Sequence, residues 1–362
     1  MATDAVSLTC EALRDMMCRV FDHHNVSPQE RDTVVDTLLE ASLSGYHSHG
    51  IMRVPMYAEG IRQGSMVPDA VPTVLNETES AIHLDANFGL GPVTAVESVA
   101  RAVDKAGVTG VGCVSVINAN DVARLGSYMA EPALRGYIAL ILVNDAGGNP
   151  AVAPWGGTEA FLSTNPLAAG IPWSAECPIV IDMSTSVAAA GKLKTLNAQG
   201  LNAPEGWLID RSGHPTISVA EAVTMPPEHA LLPLGGLVAG HKGFALSLLV
   251  DVLAGAISGA GCSSGAVTDT ERNGLFVLAL DPDKFVGRRA FHELVEKFVT
   301  QMKETEKVPG VGEILVPGER AHRERTKRRV EGIPIELPIL NKVIDVMKES
   351  GIPYADIPGL AL

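Results

Sequence analysis

Eleven consecutive residues bring together most of the chain's recognisable acid–base chemistry: His47-Ser48-His49-Gly50-Ile51-Met52-Arg53-Val54-Pro55-Met56-Tyr57. If Ser48 caps a helix, His49, Arg53 and Tyr57 follow at four-residue steps and drift only about 40° per step around one face. An imidazole, a guanidinium and a phenol would then converge. Such a set suits a 2-oxo acid. The arginine pairs bidentately with a carboxylate, and a histidine with an ordinary pKa of about 6.5 exchanges a proton with the carbonyl oxygen. Taken alone, the segment fits an exposed capped helix equally well. Pro55 would have to kink that helix or end its first segment.

The elements that must position this segment begin upstream. Leu13, Met16, Met17, Val20 and Phe21 recur at helical spacing, and His23-His24 end that helix. Ser27-Pro28-Gln29-Glu30 has the form of a capping box with proline in the first turn. It opens a helix whose apolar face is Val34, Val35, Leu38, Leu39 and Leu43. From about residue 72 the period changes to short apolar runs (Thr73–Leu75, Val111–Ile117, Ile138–Val143, Ile179–Ile181) around one helix, Pro92 to Lys105. Helices are expected again over Phe244–Ile257, Arg289–Lys303 and Pro338–Lys348. The division predicted is a helical module over 1–72, completed by about 243–362, and a mixed α/β cofactor-binding domain over 73–242.

Composition narrows the function classes. The 362 residues carry a net charge of −14, the opposite of a nucleic-acid footprint. The basic stretch Arg320 to Arg329 is interleaved with Glu319, Glu324 and Glu331, and predicts a solvated helix face. Met1 to Leu8 lacks the basic and apolar regions of a signal peptide. Ala245 to Gly261, interrupted by Asp251, predicts a buried helix rather than a membrane span. Five scattered cysteines without a CxxC pair predict reduced thiols, no disulfide framework and a cytoplasmic location. No histidine or cysteine cluster has metal-ligand spacing, so no metal is expected. The isolated His83, His214, His229, His292 and His322 are expected to be structural.

A dinucleotide fingerprint is absent. Gly89-Leu90-Gly91 precedes a helix, but Thr94 stands where a third glycine belongs. The run Ser48-His49-Gly50-x-x-Arg53-x-Pro55-x-Tyr57 instead resembles the signature of the type 2 malate/L-lactate dehydrogenase family. This family includes ureidoglycolate dehydrogenase, sulfolactate dehydrogenase and the pyrroline/piperideine-2-carboxylate reductases. Further matching blocks follow in order: Pro154-Trp155-Gly156-Gly157, Ser163-Thr164-Asn165-Pro166, Asp182-Met183-Ser184-Thr185-Ser186, Gly191-Lys192, Pro204-Glu205-Gly206-Trp207, Leu232-Pro233-Leu234-Gly235-Gly236, His241-Lys242-Gly243 and Val316-Pro317-Gly318-Glu319.

The resemblance implies an α/β (α+β) protein of sulfolactate-dehydrogenase type. Its parts are a helical module and a mixed-sheet cofactor domain that is not a Rossmann fold. NAD or NADP is the implied cofactor, a small molecule the substrate, and a homodimer the assembly. The resemblance puts His49 at the substrate with Ser48, Arg53 and Tyr57. It puts Asn120, Asp145, Asn165, Pro166, Asp182, Met183, Ser184 and Lys242 along the cofactor. Turns rich in Asn, Ser, Thr and Gly offer backbone N–H groups to a pyrophosphate, which agrees with that placement.

One departure matters. The family carries Asn-His-Phe-Gly where this chain reads Asn118-Ala119-Asn120-Asp121-Val122-Ala123-Arg124. Asp121 replaces the histidine, and a carboxylate with an ordinary pKa near 3.9 is a poor acid at neutral pH. The proton is therefore expected on His49. Asp121 would orient it or meet a cationic group of the substrate, and Arg124 would supply compensating charge. Three functions remain open: a 2-oxo acid/2-hydroxy acid dehydrogenase, a cyclic imino acid reductase favoured by Asp121, and a catalytically inactive relative that binds metabolites.

Overall fold

Apolar spacing in the first 45 residues produces the helices it predicts. The computed structural model describes residues 5–146, 148–265 and 272–360, so the first four residues of the Met1–Leu8 stretch lie outside it. α1 (Cys10–His23) and α2 (Pro28–Leu43) bury Leu13, Met16, Met17, Val20 and Phe21 against Val34, Val35 and Leu38. Ser27 occupies the N-cap of α2 with Pro28 in the first turn, but its hydroxyl makes no capping bond. The expected capping box does not close. Glu30 Oε2 accepts instead from the Asp69 amide at 2.8 Å. β1 (Ala5–Leu8), α3 (Val54–Gln63), β12 (Ile333–Glu336) and α10 (Leu337–Glu349) complete the same interior. β1 and β12 pair antiparallel, Leu8 against Ile333.

The four predicted apolar runs become β2 (Thr73–Glu77), β4 (Val111–Ala119), β5 (Ile138–Asn144) and β7 (Ile179–Met183). With β3 (Ala81–Asp85), β6 (Leu167–Ile171) and β11 (Asn273–Leu280) they make a seven-stranded sheet of order β2-β3-β4-β11-β5-β6-β7. Only the β3–β4 pair is parallel, bridged by α4 (Gly91–Thr109); the other pairings are antiparallel. This mixed α/β sheet is not a doubly wound nucleotide fold, in keeping with the missing glycine fingerprint. β8 (Leu208–Ile209), β9 (Pro215–Thr216) and β10 (Ala230–Leu231) form a small separate sheet.

Two parts of the chain sit differently from expectation. β11, from the stretch assigned to the helical module, lies at the centre of the sheet because Leu275, Val277 and Ala279 alternate inward with no exposure. α8 (Arg288–Glu304) likewise packs on the sheet through Val299, against Ile179. The helix expected to be buried around residues 244–257 is α7 (Gly236–Asp251), which runs into a π-turn over 252–256. It is long and apolar enough, by length and composition, to cross a membrane, but only a third of that stretch is buried. Asp251 anchors its inner face, accepting from Asn144 Nδ2 at 2.8 Å and from the Ser263 amide. Leu237, Val238, Leu248, Leu249, Val252 and Ile257 face outward.

Candidate active site

The segment 47–57 is not one continuous helix. Two single 3₁₀ turns, 47–49 and 51–53, flank Gly50, whose backbone is neither helical nor extended (φ −106°, ψ −130°). Pro55 neither kinks nor ends a helix; it sits in the first turn of α3, where a missing N–H costs nothing. Glycine is required at 50 because a Cβ there would lie 2.1 Å from Ser42 Oγ. That hydroxyl accepts from the Ile51 amide at 3.1 Å and so pins the loop to α2.

The expected residues nevertheless come together. Ser48 Oγ and His49 Nδ1 are hydrogen-bonded at 3.0 Å. The fully buried Tyr57 donates its hydroxyl to Asp121, 2.8 Å from Oδ1 and 2.7 Å from the backbone oxygen. Arg53 Nη1 lies 3.3 Å from Asp121 Oδ2, and the Ala123 amide donates to Oδ1 at 3.1 Å. Asp121 thus joins α3 to the turn after β4. Burial, then the Arg53 charge, hold His49 well below its ordinary value, at about 4, although Asp121 opposes the shift. At neutral pH its imidazole is neutral, ready to accept a proton.

Gly91 explains part of the Gly89-Leu90-Gly91 run. A Cβ at 91 would lie 1.9 Å from the Asp121 backbone oxygen, so the α4 N-terminus can seat the Asp121 turn only with glycine there. Gly91→Ala is expected to destabilise the fold by about 1–3 kcal/mol through overpacking and to lower turnover by moving Asp121. Paired urea melts and steady-state rates check this; wild-type values in both would show that the turn relaxes freely.

Behind the loop stands a buried ionic cluster that the sequence reading largely missed. Arg124, 5% exposed, donates from Nε to Asp182 Oδ2 at 2.9 Å and from Nη1 to Glu40 Oε2 at 2.9 Å. Its guanidinium also lies 4.2 Å from the Tyr46 ring centroid. Glu40 further accepts from Ser44 and Ser127. Arg124 and these hydroxyls outweigh burial and hold the Glu40 carboxyl below its ordinary range. Burial wins at Asp182, whose carboxyl is raised. The sequence offered only Arg124, expected to supply charge to the Asp121 loop, as a signal of it.

Of the eight residues expected along a cofactor, at least four have side chains bonded within the protein. Asn120 donates its amide to the carbonyls of Ser65, Phe88 and Gly89. Asn165 donates to Ser247, and Asp182 is held by Arg124. Asp145 follows β5, Pro166 accepts from the Val143 amide, and Met183 ends β7. Ser184 donates to the Ser186 carbonyl at 3.1 Å. Lys242 is exposed on α7.

A dinucleotide needs donors for its pyrophosphate, and α6 (Ala190–Ala198) offers them. No side chain caps its N-terminus; the Lys192 amide donates to the Ala189 carbonyl, while those of Ala190 and Gly191 lack helical acceptors. A Cβ on Gly191 would lie 3.9 Å from Ser48 Cβ, which puts this amide terminus beside the Ser48–His49 turn. Lys192 follows, its Nζ 5.0 Å from the Trp207 ring centroid. The donor set fits an anionic cofactor next to His49.

Comparison with known proteins agrees with this geometry. The family model described as malate/L-lactate dehydrogenase matches residues 8–344. The chain belongs to this family. Malate/L-lactate dehydrogenase relatives include an L-sulfolactate dehydrogenase of Methanothermobacter thermautotrophicus, 35% identical over 90% of this chain and 92% of its own length. A malate dehydrogenase of Pyrococcus horikoshii is 34% identical over 94% and 95%. The solved structure of malate dehydrogenase from that organism superposes with a TM-score of 0.86, at 32% identity over 98% of both chains. A Delta(1)-pyrroline-2-carboxylate/Delta(1)-piperideine-2-carboxylate reductase of Pseudomonas syringae pv. tomato is 32% identical over 89% and 91%. The chain is therefore a dehydrogenase or reductase acting on CH–OH or C=N groups, and the family implies a nicotinamide cofactor.

Proposed function

We propose that the chain interconverts a small 2-oxo acid and the corresponding 2-hydroxy acid, using NAD or NADP. The observation that carries this is the clustering of Ser48–His49 with Arg53, Tyr57 and Asp121. A nicotinamide held by Ser184, the α6 amide terminus and Lys192 would supply or accept the hydride at C2. Arg53 pairs with the substrate carboxylate. With Nδ1–H donating to Ser48, His49 Nε2 removes the hydroxyl proton during oxidation and returns it during reduction. Tyr57, fixed on Asp121, shapes the pocket wall.

Arg53→Lys is expected to raise KM about tenfold or more with a smaller effect on kcat, because lysine lacks the bidentate fork. Initial rates across substrate concentration check this; an unchanged KM would remove Arg53 from carboxylate binding.

A second reading, reduction of a cyclic imino acid, is favoured by the Asp121 carboxylate, which suits an iminium where the family pattern has histidine. Rates with pyruvate-type keto acids and with pyrroline-2-carboxylate, each with NADH and NADPH, decide between the two. Keto acid turnover alone sinks the imine reading. Absence of turnover with either substrate class and of NADH or NADPH binding by fluorescence would favour an inactive relative.

We also place the enzyme in the cytoplasm as a homodimer. Five free cysteines support the first, and the outward apolar residues of α7 support the second. Sedimentation equilibrium tests the dimer, and a monomer at micromolar concentration overturns it.

A further inference from the structure

The basic stretch 320–329 forms much of α9 (Glu319–Glu331), but three of its arginines turn inward onto the end of α2 and the loop that follows. Arg320 Nη2 donates to Tyr46 Oη at 2.8 Å, and Arg325 Nη1 lies 3.4 Å from Glu40 Oε1. Arg328 reaches furthest, with its side chain only 13% exposed. Its Nη1 donates to the Ser42 carbonyl at 2.7 Å and to His47 Nε2 at 2.8 Å. Glu324 of the same helix holds Arg328 Nε. One guanidinium therefore closes the C-terminal end of α2, where the helix dipole welcomes a cation, and grips the first residue of the 3₁₀ turn that carries Ser48 and His49.

We propose that Arg328 is a positioning residue for catalysis: it fixes the His47 ring and, through it, the Ser48–His49 turn. The assignment rests on His49 being the acid–base group of the proposed reaction. A donor on Nε2 leaves the proton of neutral His47 on Nδ1, and that nitrogen is buried without a hydrogen-bond partner among the described residues. The ring is thus held from one side, by Arg328. Burial and the Arg328 charge keep His47 near 4, with Glu324 opposing. The charged groups facing the loop from α9 are Arg320, Glu324 and Arg328, all within 4 Å of a Cβ built on Gly45.

The test compares Arg328→Gln and Arg328→Lys with the surface control Lys327→Gln in the intact enzyme. Arg328→Gln is expected to lower kcat about tenfold or more, leave NADH affinity within about twofold, and add an ionisation above pH 4 to the kcat/KM profile as His47, freed of the Arg328 charge but still buried, titrates higher. Guanidinium ion at millimolar concentration should restore part of the rate, and Arg328→Lys, which keeps a cation but not the fork, should fall between. Lys327→Gln should match the wild type. A lower melting temperature with unchanged kcat and an unchanged pH profile would show that Arg328 only stabilises the fold. Loss of the parent activity on keto and imino acids alike would instead condemn the proposed reaction. If Arg328→Gln fails to fold, the kcat of Arg328→Lys decides, and a wild-type value there overturns the assignment.

Discussion

His49→Ala lowers kcat by about 10²–10⁴-fold, the range a general acid–base group supplies, while NADH binding measured by fluorescence stays close to wild type. The neutral imidazole, held by Ser48, is the base in the cluster that is free of a proton at pH 7. Asp121 is occupied by Tyr57, Arg53 and the Ala123 amide, and Tyr57 is pushed well above its ordinary range by burial and Asp121. The depressed His49 value fixes the sign of the pH dependence. Alcohol oxidation needs the neutral ring, so kcat/KM in that direction stays flat on descending from neutrality and falls only towards pH 4. Keto acid reduction needs the protonated ring and gains as pH drops. Stability follows the same linkage. Unfolded His49 takes a proton near 6.5 and the native ring near 4, so the native state loses stability as pH falls from 6.5 to 4. His49→Ala removes that share of the loss. Near-wild-type kcat in this variant would move the proton to another group.

Arg124→Met has the largest expected effect on stability, about 3–5 kcal/mol, the cost of leaving buried charges without their partner. Glu40 and Asp182 would face each other across an apolar side chain, with only Arg325 nearby. Both carboxyls would then bind protons at higher pH than in the wild type. The deficit is therefore greatest at pH 7–8 and shrinks towards pH 5, as the native state of the variant gains protons. Adding Glu40→Leu to Arg124→Met recovers part of the loss, because it removes one stranded charge. Urea melts at both pH values for the three proteins measure this. A deficit that does not vary with pH would show that lost packing, not charge, accounts for it.

What could be read from the sequence follows the range of each interaction. Helices α1 and α2 were legible because Leu13–Phe21 and Val34–Leu43 repeat at helical spacing. β4, β5 and β7 were legible as apolar runs between turn residues. The convergence of His49, Arg53 and Tyr57 was foreseen, but from the wrong backbone. A single capped helix was expected, and Gly50 with Pro55 instead produces two short turns and a fresh start. The place of β11 was not legible, since strand order in a sheet is not a local property. Nor was the inward turn of Arg328. Its partners Ser42 and His47 lie some 280 residues away, and alternating charge on a helix looks the same whether it meets water or a buried carbonyl. The structural use of three residues expected along the cofactor was equally out of reach. Asn120, Asn165 and Asp182 have the right chemistry for a ligand, but the protein uses those side chains to hold its own turns.

The central position of β11 also bears on how the chain is made. During synthesis β4 and β5 leave the ribosome well over 100 residues before the strand that separates them. Until residue 280 is available, each presents an unsatisfied edge lined by aliphatic side chains, the kind of surface that recruits other chains. Slow, non-local closure of this sort favours dependence on chaperones over rapid spontaneous folding. A product released early, ending before Asn273, would keep both edges open and go to aggregates or proteases instead of surviving as a smaller soluble unit.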